Sequence, residues 1–190
     1  MIAGILLAAG RSIRFGRDKL LVQMPDGVPM VIASVRPLLD ATDQVFAVVR
    51  PGADAFADLL ARKGVAIVPC VSADTGMGAS LSCGVRAVAE FDACVIALGD
   101  MPFIRLETAR TVVHALRAGA TAVAPVFQGR FGHPVGFSRL FYHELTQLEG
   151  DYGARSILRR HDIGLEIIEC DDPGIVRDVD YPEQLPGATG

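Results

Sequence analysis

Four cationic side chains lie in a short loop near the start of the chain, directly after an apolar segment. They are Arg11, Arg14, Arg17 and Lys19. Where a buried strand opens into a glycine-containing turn, backbone N–H groups can approach phosphate oxygens, and nearby cations can neutralise several negative charges. The loop contains neither the GxxxxGK(S/T) nor the GxGxxG pattern. The residues predict a cradle for a nucleoside triphosphate, and a solvated basic loop in an ordinary turn is the alternative.

Carboxylates at two distant places in the chain predict a metal site. Asp100 directly follows an apolar segment, and Asp178 and Asp180 lie one residue apart, so an extended backbone would point both to one side. Carboxylate, phosphate and water oxygens are the ligands that Mg²⁺ prefers. Asp100 and one member of the later pair could therefore hold Mg²⁺. Helix capping is the alternative, by Asp100 for a helix after Pro102 and by Asp180 for a last helix.

Two further segments could bind a base and a second substrate. The small residues over 74–84 leave space for a flat ring and offer hydroxyl and backbone groups, which predicts base recognition. A flexible loop with Ser80 near a helix start is the alternative. His133, in a turn, and Arg155, near a helix start, could bind an anionic acceptor. A structural histidine and an ion pair between Arg155 and Asp151 are the alternatives there.

Apolar segments of strand length alternate with helical patterns through most of the chain. The predicted strands are 2–7, 44–49, 65–69, 93–98 and 121–126, and the predicted helices are 29–39, 53–63, 77–90 and 105–118. Continuous apolar strands are typical of sheets covered on both faces. The pattern predicts a single α/β Rossmann-like domain over 1–190, with a mostly parallel sheet and helices on both faces.

The alternation changes after residue 126, and the later elements make the predicted sheet mixed. Two short strands around a polar turn are expected over 127–137, helices over 138–147 and 153–161, and a strand over 164–169. The segment 178–185 closes the chain. Ligands favour the carboxyl ends of strands in open α/β sheets, so we expect Gly10 and Asp100 at one edge.

Composition excludes several classes of protein. The net charge of −4 argues against nucleic-acid binding, and no apolar run is long enough for a membrane span. The four cysteines form no CxxC pair, so we expect buried free thiols in a reducing compartment. The first residues lack the basic start and cleavage site of a signal peptide, which predicts a cytoplasmic protein.

Motifs along nearly the whole chain resemble the nucleotidyltransferases related to the molybdenum cofactor cytidylyltransferases and guanylyltransferases. They are LAAG with its basic loop and lysine over 7–19, GMGASLSCG over 76–84, GDMP over 99–102, GHPV over 132–135, GDYGAR over 150–155 and DVDYPEQ over 178–184. In the last motif, Tyr181 stands where the family commonly has threonine, and Gln184 stands where it has an acidic residue.

The resemblance implies a role for each matching residue. Nucleotide binding is implied for Leu7, Ala8, Ala9, Gly10, Arg11, Lys19, Gly76, Ser80, Leu81, Gly84 and Asp100. Acceptor binding is implied for His133, Pro134, Asp151, Gly153 and Arg155, within an acceptor segment over 127–160. Lys19, Asp100 and Arg11 would be catalytic. Asp100 and Asp180 would hold Mg²⁺, with Asp180 favoured over Asp178 by its place in the motif.

The implied reaction is transfer of CMP from CTP to the phosphate of molybdopterin in the molybdenum cofactor, with release of pyrophosphate. Ala9, where the guanylyl branch usually has a second glycine, and the acceptor motifs favour the cytidylyl branch. One alternative is the same chemistry with GTP, a sugar phosphate or methylerythritol phosphate. The other is a non-catalytic carrier that delivers the cofactor to a recipient molybdoenzyme.

Overall fold

A mixed β-sheet forms the centre of the protein, of which the computed structural model describes residues 1–10, 18–160 and 164–185. The strands are β1 (Ile2–Leu7), β2 (Gln44–Val49), β3 (Ala66–Pro69), β4 (Ala93–Leu98), β5 (Ala122–Phe127), β6 (Arg130–Phe131), β7 (Val135–Ser138) and β8 (Leu165–Glu169). Their order in the sheet is β3-β2-β1-β4-β7-β5-β6, and β8 pairs with β5.

Most neighbouring strands are parallel. β1 pairs in parallel with β2 and β4, β2 with β3, and β5 with β8. β7 is antiparallel to both β4 and β5, and β6 is antiparallel to β5. The predicted mixed, mostly parallel sheet is thus confirmed.

Helices cover both faces of this sheet, as predicted. They are α1 (Met30–Ala41), α2 (Asp54–Ala61), α3 (Met77–Ala87), α4 (Leu106–Arg117), α5 (Tyr142–Leu145) and α6 (Arg155–Leu158). Successive β1 side chains point to opposite faces. Leu6 packs in a cluster with residues of α1, α2 and α4, whereas Ile5 packs in a cluster with residues of α3, α5 and α6. None of the described helices is long and apolar enough to cross a membrane.

The second half of the chain differs most from its predicted elements. The predicted helix over 138–147 is instead the end of β7, a 3₁₀ turn at Arg139–Phe141 and the single-turn α5. Ser138 remains in the sheet because its N–H donates to the carbonyl of Thr121 at 2.8 Å. The predicted helix over 153–161 shortens to α6, and its last residue lies outside the described residues.

Two short strands were predicted over 127–137, and β6 and most of β7 lie there, but the observed two-residue hairpin joins β5 to β6 and not these two strands. β5 and β6 are joined through Gln128 and Gly129, whose φ angles are 50° and 74°. Two consecutive residues with positive φ match the twist of a two-residue hairpin, and glycine adopts that conformation without steric cost.

Candidate active site

The carboxyl ends of β1 and β4 meet at the middle of the sheet edge and fix the turn that carries Asp100. The Gly99 N–H donates to the carbonyl of Leu7 at 2.9 Å. From α1, the buried Ser34 hydroxyl donates to the carbonyl of Gly99 at 2.8 Å. The backbone before Asp100 is therefore held from both the strand and the helix side.

Lys19 lies between two carboxylates at this edge. Its Nζ donates to Asp100 Oδ2 and to Asp180 Oδ1, each at 2.8 Å. Burial lowers the pKa of Lys19, but the two carboxylates raise it more, so the pKa of Lys19 is raised above its usual value of 10.5. The side chain is consequently a permanent ammonium at neutral pH. Asp100 does not cap α4, which has Arg105 at its N-cap.

The C-terminal segment brings Asp180 to Lys19. Val179 is fully buried, and its N–H donates to the carbonyl of Asp100 at 2.9 Å. Gln184 Oε1 accepts the N–H groups of Asp180 at 2.6 Å and of Tyr181 at 2.8 Å. The amide of Gln184 thus uses an oxygen that an acidic residue would also offer. Asp178, by contrast, lines a second cavity, which is described below.

The pair of carboxylates fits a magnesium ion that is shared with a substrate. Among residues 1–10, 18–160 and 164–185, no group of three or more His, Cys, Asp or Glu side chains could hold a metal. Mg²⁺ is commonly bound through one or two carboxylates, with phosphate and water oxygens completing its shell. Asp100 and Asp180 would supply that number of protein ligands.

A cavity of about 330 Å³ opens beside this cluster. Its lining includes these predicted nucleotide-binding residues: Leu7, Ala8, Ala9, Gly10, Lys19, Gly76, Ser80 and Asp100. Arg11 lies outside the described residues, as do Arg14 and Arg17. Most of the residues assigned to the nucleotide are thus brought together on one surface, which we name the first cavity.

Two residues assigned to the nucleotide lie elsewhere. Leu81 lines the second cavity rather than the first. At Gly84, a Cβ would lie 2.7 Å from Cγ2 of Ile5 and 2.9 Å from Cγ2 of Val48. Gly84 therefore lets α3 approach β1 and β2 closely, which is a packing role that the motif alone does not reveal.

A second cavity of about 580 Å³ continues from the first. Four of its lining residues were assigned to the acceptor, namely His133, Asp151, Gly153 and Arg155, whereas Pro134 is buried outside it. Its lining also includes Arg130, Phe131, Arg159 and Asp178. The two cavities share Leu7, Met77, Leu98 and Asp151. They are two parts of one cleft.

The second cavity combines positive charge with an apolar wall. Arg130, Arg155 and Arg159 line it together with Phe131, and Arg155 donates to the carbonyl of Phe131 at 3.2 Å. Arg155 makes no ion pair with Asp151, which was the alternative. This surface suits a flat ligand with negative charge.

His133 is uncharged at neutral pH in this cavity. Its Nδ1 lies 3.4 Å from the carbonyl of Ile96. Burial lowers the pKa of His133 below its usual value of 6.5, and the neighbouring Arg155 lowers it further. A neutral imidazole can accept a hydrogen bond through one ring nitrogen, whereas an imidazolium cannot.

The two halves of the cleft are joined through the backbone at Gly76 and Gly78. Gly76 has a φ of 127°, and a Cβ on it would lie 2.3 Å from the carbonyl carbon and oxygen of Gly150. The Gly78 N–H donates to the Gly150 carbonyl at 2.7 Å. The start of α3 therefore touches the segment that carries Asp151.

Sequence reasoning missed Arg50 and misjudged two cysteines. Arg50 follows β2 directly, so the same strand-end rule that found Asp100 would have found it. Cys70 and Cys83 were expected as free thiols but form a disulfide, with 6.0 Å between their Cα atoms. The 3₁₀ turn at Val71–Thr75 folds Cys70 back onto α3, and this return could not be read from the spacing.

Comparison with known proteins identifies relatives along nearly the whole chain. The model of the MobA-like NTP transferase domain family matches residues 4–164. The purine catabolism protein PucB of Bacillus subtilis is 31% identical over 194 residues, covering 96% of this chain and 93% of PucB. Nicotine blue oxidoreductase of Paenarthrobacter nicotinovorans is 28% identical, covering 97% and 94%. A molybdenum cofactor guanylyltransferase of Burkholderia vietnamiensis is 39% identical over 88 residues, covering 45% and 42%.

Solved structures show the same fold. The crystal structure of Rv0371c from Mycobacterium tuberculosis superposes with a TM-score of 0.82 at 28% identity, covering 97% of this chain and 95% of that one. A structure of the same protein in complex with manganese has a TM-score of 0.74 at 26% identity, covering 89% and 88%.

Proposed function

This chain belongs to the family of MobA-like NTP transferase domains, and we propose that it transfers CMP from CTP to the phosphate of molybdopterin in the molybdenum cofactor. The observation that carries the proposal is the two-part cleft. Lys19 and Asp100 line the first cavity, Asp180 is paired with Lys19 beside it, and arginines line the second cavity. The relative named as a molybdenum cofactor guanylyltransferase supports this acceptor class.

The nucleotide would occupy the first cavity and the acceptor the second, on the segment 127–160. An oxygen of the acceptor phosphate attacks the α-phosphorus of CTP, a new P–O bond forms, and the bond to the β-phosphate breaks to release pyrophosphate. The second pKa of a phosphate monoester is about 6, so the acceptor already carries most of its second negative charge at neutral pH. The reaction needs no protein nucleophile and no general base.

The obstacle to this reaction is repulsion between two anions. Among the described residues lining the first cavity, Asp74, Asp100 and Asp151 outnumber the single ammonium of Lys19. A triphosphate therefore requires further positive charge there. Mg²⁺ held by Asp100 and Asp180 would supply charge neutralisation for the phosphates, and the basic loop containing Arg11 would add more.

Lys19 would contribute directly to the chemical step. Its ammonium is positioned by two carboxylates of the protein itself, so it would need little reorganisation to meet charge on the leaving pyrophosphate. Removal of such a group commonly slows turnover on the order of 10²-fold or more.

The side chain of Ala9 would favour a pyrimidine base over the larger purine. Ala9 is buried and lines the first cavity, and its methyl group takes space that glycine would leave open. We expect Ala9→Gly to raise the ratio of GTP to CTP turnover relative to the wild-type protein. An unchanged ratio would show that Ala9 does not select the base.

The decisive experiment is pyrophosphate release by the purified protein with Mg²⁺, molybdenum-loaded molybdopterin, and CTP or GTP in parallel reactions. Release with CTP and little with GTP is the expected result. Release with GTP alone would assign the protein to guanylyl transfer. No release with either nucleotide would contradict the proposed reaction and would favour another acceptor or a carrier role.

A further inference from the structure

Arg50 bonds two residues of the segment that the sequence assigns to the triphosphate. Its Nη1 donates to the carbonyl of Gly10 at 2.6 Å. Its Nη2 donates to Asp18 Oδ2 at 2.9 Å. Gly10 precedes the three arginines of the basic loop and Asp18 follows them, so a single guanidinium bonds both points.

Asp18 links Arg50 to the turn that carries Lys19. One carboxylate oxygen accepts from Arg50, while the other accepts the N–H of Leu20 at 3.3 Å and caps the 3₁₀ turn that begins at Lys19. Both Arg50 and Asp18 are mostly buried, with side-chain exposures of 23% and 22%. Screening by solvent is therefore weaker than for an ion pair on the surface.

The geometry requires an arginine. A guanidinium is planar and presents parallel donors, so two of its nitrogens can bond a carbonyl and a carboxylate at the same time. A lysine would bring the charge on one nitrogen and could not reproduce this fork.

We propose that Arg50 is a positioning residue for the nucleotide, acting through Asp18 to hold Lys19 and through Gly10 to hold the end of the LAAG motif. This inference rests on the proposed function, because it assumes that the first cavity binds a nucleoside triphosphate. Arg50 would not touch the phosphates itself.

The first test needs no nucleotide. Hydrogen–deuterium exchange of a peptide covering 18–24 is expected to be faster in Arg50→Gln and in Asp18→Asn than in the wild-type protein. Arg110→Gln is the matched control, since Arg110 is exposed on α4 and makes no hydrogen bond or ion pair with any described residue. Exchange equal to that of the control would overturn the proposal even if nucleotidyl transfer is confirmed.

The second test is a double-mutant cycle on kcat/KM for CTP. We expect Arg50→Gln and Asp18→Asn each to lower kcat/KM on the order of 10-fold to 100-fold, and the double variant to be no worse than either single one. A double variant clearly worse than Arg50→Gln, or an Asp18→Asn variant with wild-type kcat/KM, would show that Arg50 does not act through Asp18 and would overturn the positioning role.

Two further readouts separate this proposal from the failure of the proposed function. Arg50→Lys is expected to show most of the decrease in kcat/KM that Arg50→Gln shows, because a positive charge without the planar guanidinium cannot bond Gly10 and Asp18 together. A wild-type kcat/KM in Arg50→Lys would overturn the inference. If the wild-type protein shows no transfer, calorimetric binding of Mg²⁺-CTP and Mg²⁺-GTP replaces kcat/KM in the cycle. Equal affinities across wild type and variants would then contradict the role of Arg50.

Discussion

The ammonium of Lys19 is shared by two carboxylates that come from opposite ends of the fold. Asp100 follows β4, and Asp180 is delivered by the last segment of the chain. Since both carboxylates accept hydrogen bonds from this ammonium, a change in either affects both its charge environment and its position.

We expect Asp100→Asn to reduce turnover on the order of 10²-fold or more, because the metal would lose a charged ligand. An asparagine oxygen can still accept from Lys19, so the melting temperature should stay close to that of the wild type. The measurement is pyrophosphate release at saturating Mg²⁺ together with a thermal melt. Asp40→Asn, an exposed change on α1, is the control. Turnover equal to that of the control would exclude Asp100 as a metal ligand.

His133 makes folding stability depend on pH. The folded protein holds its pKa below 6.5, mainly through burial, so the unfolded chain binds more protons in acid. The stability linked to its neutral form is present above pH 6.5 and is lost as pH falls below it. We expect the free-energy difference between wild type and His133→Gln to shrink from pH 7.5 to pH 5. Urea unfolding measures it, with the exposed His143→Gln as control. A constant difference would contradict this assignment.

At the scale of elements, the contact between α3 and the segment before Asp151 depends on a glycine. We expect Gly76→Ala to lower stability by about 1–3 kcal/mol, because its Cβ would overlap the backbone of Gly150. The KM for nucleotide should rise as the start of α3 moves away from the first cavity. Urea unfolding and initial rates test both effects.

Gly119→Ala is a control that separates the steric overlap with Gly150 in Gly76→Ala from the backbone strain of a positive φ. Gly119 has a φ of 105°, and a Cβ there would meet nothing within 4 Å. Its substitution reports the cost of positive φ alone. A loss of stability in Gly76→Ala no greater than that in Gly119→Ala would show that contact with Gly150 costs little.

The elements that could be predicted are those whose extent is determined by their own residue pattern and not by contacts with distant parts of the chain. β1 and β4 were predicted with their observed bounds, because strands buried on both faces are apolar without interruption. α5 and α6 are single turns whose extent depends on tertiary contacts, and no periodicity marks so short a helix. The same limit explains why the predicted helix over 138–147 was too long.

The residues of the candidate site likewise divide into those that the local sequence indicates and those that depend on tertiary contacts. Asp100 was found because it ends a strand, whereas the choice between Asp178 and Asp180 required the family motif. In the structure Asp180 contacts Lys19, and the segment that carries it is held by the backbone bond from Val179 to Asp100, which no sequence pattern encodes. The disulfide between Cys70 and Cys83 likewise depends on how a turn packs against α3.

At the scale of the whole molecule, the segment assigned to the acceptor is built into the central sheet. β7 lies between β4 and β5 and pairs with both. A segment that supplies an interior strand cannot fold as a sheet apart from the rest of the chain. We therefore expect the chain to unfold as one cooperative unit.

The positions of the tyrosines allow a direct test of cooperative unfolding. All three, Tyr142, Tyr152 and Tyr181, lie in the second half of the chain, and there is no tryptophan. Tyrosine fluorescence thus follows that half, while far-UV circular dichroism follows the whole. The two urea transitions should coincide in midpoint and slope. Separate midpoints would show that the second half unfolds independently.

The wall shared by the two cavities has a consequence for what happens after the reaction. The dinucleotide product would contact both cavities at once, so its two halves bind as a linked pair with a high effective concentration. We expect product to leave more slowly than either substrate and to limit steady-state turnover. On the proposed function, an enzyme that retains its product in this way would keep the modified cofactor out of bulk water until a recipient molybdoenzyme takes it.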